Sequence, residues 1–265
     1  MARVIFSWLF IILLYFFFNN SLLSQLQEPV LIAPGSDNTF WLAHLLHIPQ
    51  LLSKHWPALI FDMLLTTSCL ICIILPMSRS VTWITVTGVW ILFICYSSAA
   101  GKPYAQIGYL LAPLPFLAFK ENRFDLLWNL FRYWVCLLYF SGGLYKLYYG
   151  GFFYGDNMSQ IIWQANADWF VFHNTGTSFE IKNYFIQHPG FAQWFYRLAT
   201  VTDLLMIAGL FTKRFDRWLL VALIAFHVAN FMLLGISFAE QSLIFAAFLP
   251  WPAWGRYYNS IKSDD

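Results

Sequence analysis

The sequence predicts an all-α integral membrane protein, a polytopic bundle of about eight transmembrane helices with interfacial helices on the outer face. Of its 265 residues, 60% are hydrophobic and 11% are charged, whereas a soluble domain carries roughly a quarter charged residues. The mean hydropathy is +0.60. The apolar residues also fall in runs close to the ~20 residues that a helix needs to cross a bilayer. We therefore expect a single transmembrane domain over residues 1–265.

The predicted spans follow one another along the whole chain. The first, residues 4–18, begins after Arg3 like a signal peptide, but no small-residue cleavage site follows it, so we interpret it as an uncleaved span. The others cover residues 57–75, 81–98, 104–119, 126–149, 194–211, 218–234 and 237–251, of which the last is short.

Two long segments are predicted to lie on the outer side, residues 19–56 and residues 150–193. Both are rich in Trp, Phe and amide side chains, as expected for half-buried amphipathic pieces in the headgroup region. The loops on the opposite side, MSRS, KENRFD and TKRFDR, are short. A site in this protein is therefore expected to open outward.

Basic residues predict the orientation, because Lys and Arg near helix ends are retained in the cytoplasm. With eight spans starting inside, ten of the 15 basic residues fall on the cytoplasmic side, and both termini are predicted to be cytoplasmic. The five exceptions are Lys54, Lys102, Lys146, Lys182 and Arg197.

The net charge and the positions of the cysteines argue against a nucleic-acid-binding protein and against a disulfide-stabilised extracellular domain. The net charge is +2 without a basic cluster, so the chain is not expected to bind nucleic acid. The four cysteines (Cys69, Cys72, Cys95 and Cys136) lie in apolar runs, which gives no sign of an extracellular disulfide framework. Cys69 and Cys72 have redox-motif spacing, but no nearby charge would lower a thiol pKa, so core packing is the better interpretation.

Ionisable residues inside apolar runs are the candidate site residues, because charge in a bilayer is costly and tends to be paired or functional. Lys146 is either an interfacial lysine that reaches toward water or a buried base. Asp203 is expected to form a structural ion pair with Arg197, and Asp62 to form a similar one. The other candidates are His227, Asn230 and Glu240.

The spacing of His227 and Asn230, three residues apart, places both on one helical face. Glu240 begins the following segment after Gly235, so a polar cluster with them is plausible. A lone intramembrane histidine can equally be a hydrogen-bonded structural residue. The outer segments also contain His44, His47, His55 and His173. Their spacing does not supply the three or four converging ligands of a metal site, and no metal is predicted.

Two motifs resemble the HTTM (horizontally transferred transmembrane) domain, which forms the membrane portion of vitamin K-dependent gamma-glutamyl carboxylases. The segment YFSGGLYKLYYGGFFYGDNM around Lys146 is similar to a Y-x-x-G-x-x-K-L signature of that family. The segment LIAFHVANFMLLGISFAEQSLIFAAFLPW around His227 resembles its F-H-x-x-N helix pair. The motifs occur in the same order at a compatible separation.

The resemblance implies Lys146 as a catalytic base acting on a reduced, vitamin K-like quinone, with His227 in the same active site. The residues around them are expected to line a substrate or cofactor pocket, namely Tyr139, Tyr145, Trp163, Asn230 and Glu240. Small bacterial relatives imply a place in the bacterial inner membrane and a secreted peptide or another membrane protein as partner.

Two other classes of function compete with a membrane enzyme of this kind. A non-catalytic membrane scaffold or maturation partner would use the aromatic outer segments for docking. A transporter would need broken helices in matched repeats. Pro113 and Pro115 interrupt one predicted span, but no counterpart is visible.

Overall fold

The computed structural model describes residues 2–26, 38–75, 78–100, 121–172, 175–235 and 239–249, and all regular elements within these ranges are helical. The helices are α1 Ala2–Phe18, α2 Asn38–Leu45, α3 Ile48–Leu52, α4 His55–Ile74, α5 Arg79–Ala100, α6 Glu121–Tyr148, α7 Asn157–Ala165, α8 Ala167–Phe172, α9 Thr177–Gln187, α10 Pro189–Leu205, α11 Ala208–Phe211 and α12 Asp216–Leu234. Two 3-10 segments, Leu23–Gln25 and Ala239–Phe248, complete the elements.

Five segments of the described chain are long and apolar enough to cross a membrane. They are Arg3–Gln25, His55–Ile74, Arg79–Tyr96, Pro189–Phe211 and Asp216–Leu234. Each overlaps a span that the sequence predicts. The class of the protein, a helical chain with several apolar helices compatible with membrane spans, therefore agrees with the prediction.

The predicted count of eight spans is not confirmed. The predicted span at residues 104–119 lies outside the described residues. Helix α6 has 28 residues, but its Asn, Arg, Trp and Tyr side chains lower its mean hydropathy, and it is not among the five. The short predicted span at residues 237–251 contains the ten-residue 3-10 helix Ala239–Phe248.

The chain divides into two compact units. The first comprises residues 1–128 and 250–265. In its described part, α4 packs against α1, α5 and the 3-10 turn. Cys69 and Cys72 of α4 are fully buried, and the Cys69 thiol lies 3.3 Å from the Phe6 carbonyl oxygen. These two cysteines therefore serve as small core residues, as the sequence predicts.

The second unit, residues 129–249, contains the residues around Lys146 and His227. Helix α10 packs against α7, α9 and α12. A core cluster joins the segment of residues 150–193, predicted to lie on the outer side, to the end of α12, and it consists of Met158, Ile162, Phe185, Ala192 and Leu233. Helix α12 ends at Gly235, whose φ of 66° lies in the left-handed region that glycine tolerates best.

A buried ion pair ties α6 to the start of α12. The Arg132 guanidinium donates to the Asp216 carboxylate at 3.0 Å and to the Thr212 carbonyl at 2.8 Å. Arg132 is buried, and its planar group can serve both acceptors at once. This pair holds together helices that are far apart in sequence.

Candidate functional site

Lys146 and Asp203 form an ion pair inside the second unit. The Lys146 ammonium donates to Asp203 Oδ2 at 2.7 Å. Lys146 is in the last turn of α6, and Asp203 is near the end of α10. Asp203 is only 3% exposed, whereas Lys146 is partly exposed. The pair therefore combines a buried carboxylate with a partly exposed ammonium group at the edge of the packed helices.

Aromatic rings surround the ammonium group. Lys146 Nζ lies 5.1 Å from the ring centroid of Phe226 and 5.8 Å from that of Tyr196. Cations within about 6 Å of a ring face are attracted by its quadrupole. The Lys146 charge is thus held by one carboxylate and two aromatic faces.

A glycine pair allows the helices that carry the ion pair to approach closely. A Cβ on Gly143 would lie 3.0 Å from the Leu204 side chain and backbone nitrogen, and a Cβ on Gly142 would lie 4.0 Å from Asp203 Oδ2. Small residues let helix backbones come together. The Ser-Gly-Gly sequence before Lys146 therefore places α10 against α6 at the level of Asp203.

A second polar contact lies two helical turns away on the same face of α6. Tyr139 Oη is 2.7 Å from His227 Nε2, and residues 139 and 146 are seven apart, so they share one face. The His227 ring also lies 5.5 Å from the Phe245 ring. The structure therefore gives Lys146 and His227 separate polar partners, Asp203 and Tyr139.

Asp203 has one oxygen without a partner. Oδ2 accepts the Lys146 hydrogen bond, but Oδ1 is buried and has no hydrogen-bond partner within the described part of the chain. A buried acceptor left unsatisfied is costly. A carboxylate oxygen in this state can accept a hydrogen bond from a hydroxyl or amine group of a bound molecule.

The remaining predicted pocket residues are placed differently. Tyr145 is 61% exposed and packs on Tyr149 at a ring distance of 4.3 Å, and Trp163 is 54% exposed and stacks on Phe170. Neither ring is among those placed around the ion pair. Asn230 is partly buried in α12, one turn after His227. Glu240 is in the 3-10 helix, and its side chain is outside the described set.

The predicted partner of Asp203 is wrong. Residues 197 and 203 are six apart on α10, so their side chains project from different faces. The Arg197 Nε instead donates to the Phe152 carbonyl at 3.1 Å. The ion pair predicted for Asp62 is also not found among the described residues, in which Asp62 accepts the Ser24 backbone N–H at 2.8 Å.

No group of three metal-binding side chains occurs among the described residues. His44 lies with its Nδ1 2.8 Å from Gln50 Nε2. His173 is outside the described residues. The histidines that the sequence raised as a weak metal hypothesis therefore have no converging arrangement in the ranges described.

Sequence reasoning missed one buried lysine, Lys182 of α9. Its Nζ donates to Asn166 Oδ1 at 2.6 Å and lies 4.1 Å from the Trp169 ring centroid. Asn166 in turn donates to the carbonyls of Ile162 and Leu233, each at 2.8 Å. Burial lowers the pKa of Lys182, because the charged form loses hydration. A lysine in a polar outer segment normally indicates a solvated side chain, so no sequence signal marks this one.

Comparisons with protein-family models, curated proteins and solved structures found no match for this chain. Its function is therefore inferred from the geometry of the Lys146–Asp203 and Tyr139–His227 contacts.

Proposed function

We propose that the chain is a multi-pass membrane enzyme that removes a proton from a hydroxyl group of a quinol- or lipid-linked substrate at the Lys146–Asp203 pair. The observation that carries this proposal is the buried Asp203 Oδ1, an acceptor without a donor in the described chain, beside a lysine ammonium. The resemblance of the segments around Lys146 and His227 to the HTTM domain supports a reduced quinone as the substrate class.

The arrangement assigns a different role to each member of the pair. The substrate O–H donates to Asp203 Oδ1 and transfers its proton there, while the electron pair of the broken bond stays on the substrate oxygen. The Lys146 ammonium then stabilises the oxyanion electrostatically. In this arrangement Asp203, whose Oδ1 has no donor in the described chain, takes the role of base that the family resemblance implies for lysine.

The rings around the pair suit a flat substrate. Phe226 and Tyr196 lie within 6 Å of Lys146 Nζ, and aromatic rings pack favourably in offset or edge-on arrangements. The Tyr139–His227 hydrogen bond supplies a second polar contact on the same face of α6. A ring with two oxygens would have one polar contact at the Lys146–Asp203 pair and the other at Tyr139–His227.

A binding experiment tests whether the ligand must donate a hydrogen bond to Asp203 Oδ1. In lipid nanodiscs under anaerobic conditions, wild-type protein is expected to bind menadiol, which donates hydrogen bonds, more tightly than menadione, which cannot. Asp203→Asn should lose this preference, because its amide can donate to a quinone carbonyl. Hydrogen bonds to charged groups contribute about 1.5–3 kcal/mol, so we expect the wild-type preference to be about tenfold or more.

Exposed Lys213 provides the matched control. Lys213→Met removes one positive charge away from the pair and should bind menadiol like the wild type, whereas Lys146→Met should bind it more weakly. Equal binding of menadiol and menadione by the wild type, or an unchanged preference in Asp203→Asn, would contradict the proposal.

Exposed rings in the outer segment favour a second candidate, a membrane scaffold or maturation partner. Trp163, Phe172 and Tyr154 are all exposed, and large exposed apolar groups are characteristic of interaction surfaces. This candidate predicts that Lys146→Met has no effect on the protein's role, whereas polar substitutions of those rings abolish capture of a partner protein.

A further inference from the structure

Two aspartates are buried in apolar helices, and they differ in their surroundings. Asp203 of α10 is 3% exposed and has a lysine partner at 2.7 Å. Asp62 of α4 is 4% exposed. Within the described chain, the lysine, arginine and histidine nitrogens lie beyond 4 Å from its carboxylate. The two carboxyl groups are equally buried, but only Asp203 has a positively charged partner, so the two residues can be compared directly.

The contacts of Asp62 come from the segment that follows α1. Oδ2 accepts the backbone N–H of Ser24 at 2.8 Å, at the start of the 3-10 turn. Oδ1 is buried and has no hydrogen-bond partner among the described residues. Hydrogen bonds from Leu23 and Ser24 offset only part of the cost of moving a carboxylate from water into an apolar segment.

The neighbouring elements do not supply a positive charge at this level. Helix α3 and the 3-10 turn contain no charged residue. Arg3 of α1 reaches the Ile74 carbonyl, and Arg79 begins α5 just after that end of α4, about 18 Å along the helix from Asp62 at 1.5 Å per residue. The other ionisable groups of α1 and α5 are Tyr15, Cys95 and Tyr96, side chains that cannot carry a positive charge.

Beside the exposed Lys54, the titratable group at the start of α4 is His55. Its Nδ1 lies 3.2 Å from the Ser24 carbonyl oxygen, and the side chain is exposed. His55 therefore contacts the residue whose N–H holds Asp62, rather than the carboxylate itself. Residues 27–37 add only the acidic side chains Glu28 and Asp37 to this stretch of sequence.

We propose that Asp62 is a proton-binding site, with a proton carried at Oδ1 while Oδ2 accepts the Ser24 N–H. The proton comes from water and returns to it, so no other reactant is needed. A neutral carboxyl group costs far less in an apolar segment than an unpaired carboxylate. The first unit therefore holds an exchangeable proton, in contrast to the ion pair of the second unit.

Infrared spectroscopy tests the charge state directly. The full chain in nanodiscs at neutral pH should show a carbonyl stretch of a protonated carboxyl group that shifts in deuterated water and is missing in Asp62→Asn. The band should disappear as the pH is raised. Absence of an Asp62-dependent band at neutral pH would overturn the proposal. Loss of the band on adding sodium at fixed pH would show that sodium displaces the proton, and the proposed proton site would be replaced by a metal-cation site.

Asp203 supplies the matched control for a second measurement. Dicyclohexylcarbodiimide is apolar and reacts with protonated carboxyl groups, so peptide mass spectrometry should find Asp62 labelled and Asp203 unlabelled in the wild type. Lys146→Met, which removes the counter-ion, should make Asp203 reactive. Labelling of Asp203 but not Asp62 in that variant would show that the reagent reaches buried carboxyl groups and that Asp62 is ionised, which would also overturn the proposal.

Discussion

The charged side chains that pack between helices of the second unit are stabilised in two different ways. Lys146 and Arg132 each have a carboxylate partner, whereas Lys182 has an amide oxygen and an aromatic face. Asn166 also connects Lys182 to the last turn of α12 through the Leu233 carbonyl. Lys182 is 5% exposed, so its ammonium is stabilised by dipoles rather than by an opposite charge.

The lowered pKa of Lys182 predicts a pH dependence of stability. Between that lowered value and the unfolded value of about 10.4, the unfolded chain binds more protons than the folded one. The free energy of unfolding should therefore rise with pH across this window, and the penalty of charging Lys182 is complete below it. Thermal unfolding at a series of pH values should show that stability rises more steeply with pH in the wild type than in Lys182→Met.

Two features separate this effect from a general loss of packing. Lys182→Met leaves Asn166 Oδ1 without its donor at every pH, which costs about 1–3 kcal/mol. This cost lowers the free energy of unfolding by the same amount at each pH and does not change its slope against pH. Lys213→Met, at an exposed position, should follow the wild-type slope. Parallel curves for the wild type and Lys182→Met would contradict the prediction.

The sequence identifies polar residues within apolar helices better than it identifies their partners. Lys146 and His227 stand out because each interrupts an apolar run, and no comparable signal pairs Lys146 with Asp203 or His227 with Tyr139. Those pairings depend on how α6, α10 and α12 pack, which is set by contacts between residues far apart in sequence. The Arg197–Asp203 prediction fails because proximity in sequence does not ensure a shared helical face.

At the scale of the helix, each of the five apolar spans overlaps a predicted one, whereas the predicted span in α6 is not among the five. Helix α6 shows why, since Arg132 and several Trp and Tyr side chains occupy a helix long enough to cross a membrane. Partnered polar residues lower the hydropathy without breaking the helix. A prediction from composition therefore loses accuracy in the helix that carries most of the candidate site.

The two glycines of α6 give a matched prediction at this scale. Replacing a helix-interior glycine by alanine gains roughly 0.5–1 kcal/mol, so Gly142→Ala, whose Cβ would meet only an ordinary contact at 4.0 Å, should be neutral or stabilising. Gly143→Ala should be destabilising, because its Cβ would lie 3.0 Å from the Leu204 backbone nitrogen. Thermal unfolding in detergent compares the two, and equal effects would contradict this account.

At the scale of the whole molecule, the number of spans decides where the termini lie. An even number places both termini on one side, and an odd number places them on opposite sides. Five segments of the described chain qualify as spans, while residues 101–120 lie outside the described ranges. The predicted orientation therefore depends on the predicted count of eight spans together with the positions of the basic residues.

Reporter fusions test this orientation. We expect a fluorescent protein that folds only in the cytoplasm to be active at either terminus, and alkaline phosphatase, which needs an oxidising compartment, to be inactive at both. The positive-inside rule gives the reason. A fusion at residue 175, within the outer segment, should give the reverse pattern. Activity of alkaline phosphatase at one terminus alone would mean an odd number of spans.

The Lys146–Asp203 ion pair also constrains how the protein is made. The partners are 57 residues apart, so at 5–20 residues per second the ribosome adds Asp203 roughly 3 to 11 s after Lys146. During this interval the lysine lacks the counter-ion that Asp203 supplies in the folded chain. We therefore expect α6 and α10 to pack together only after Asp203 has been synthesised, so that Lys146 needs water or another partner until then.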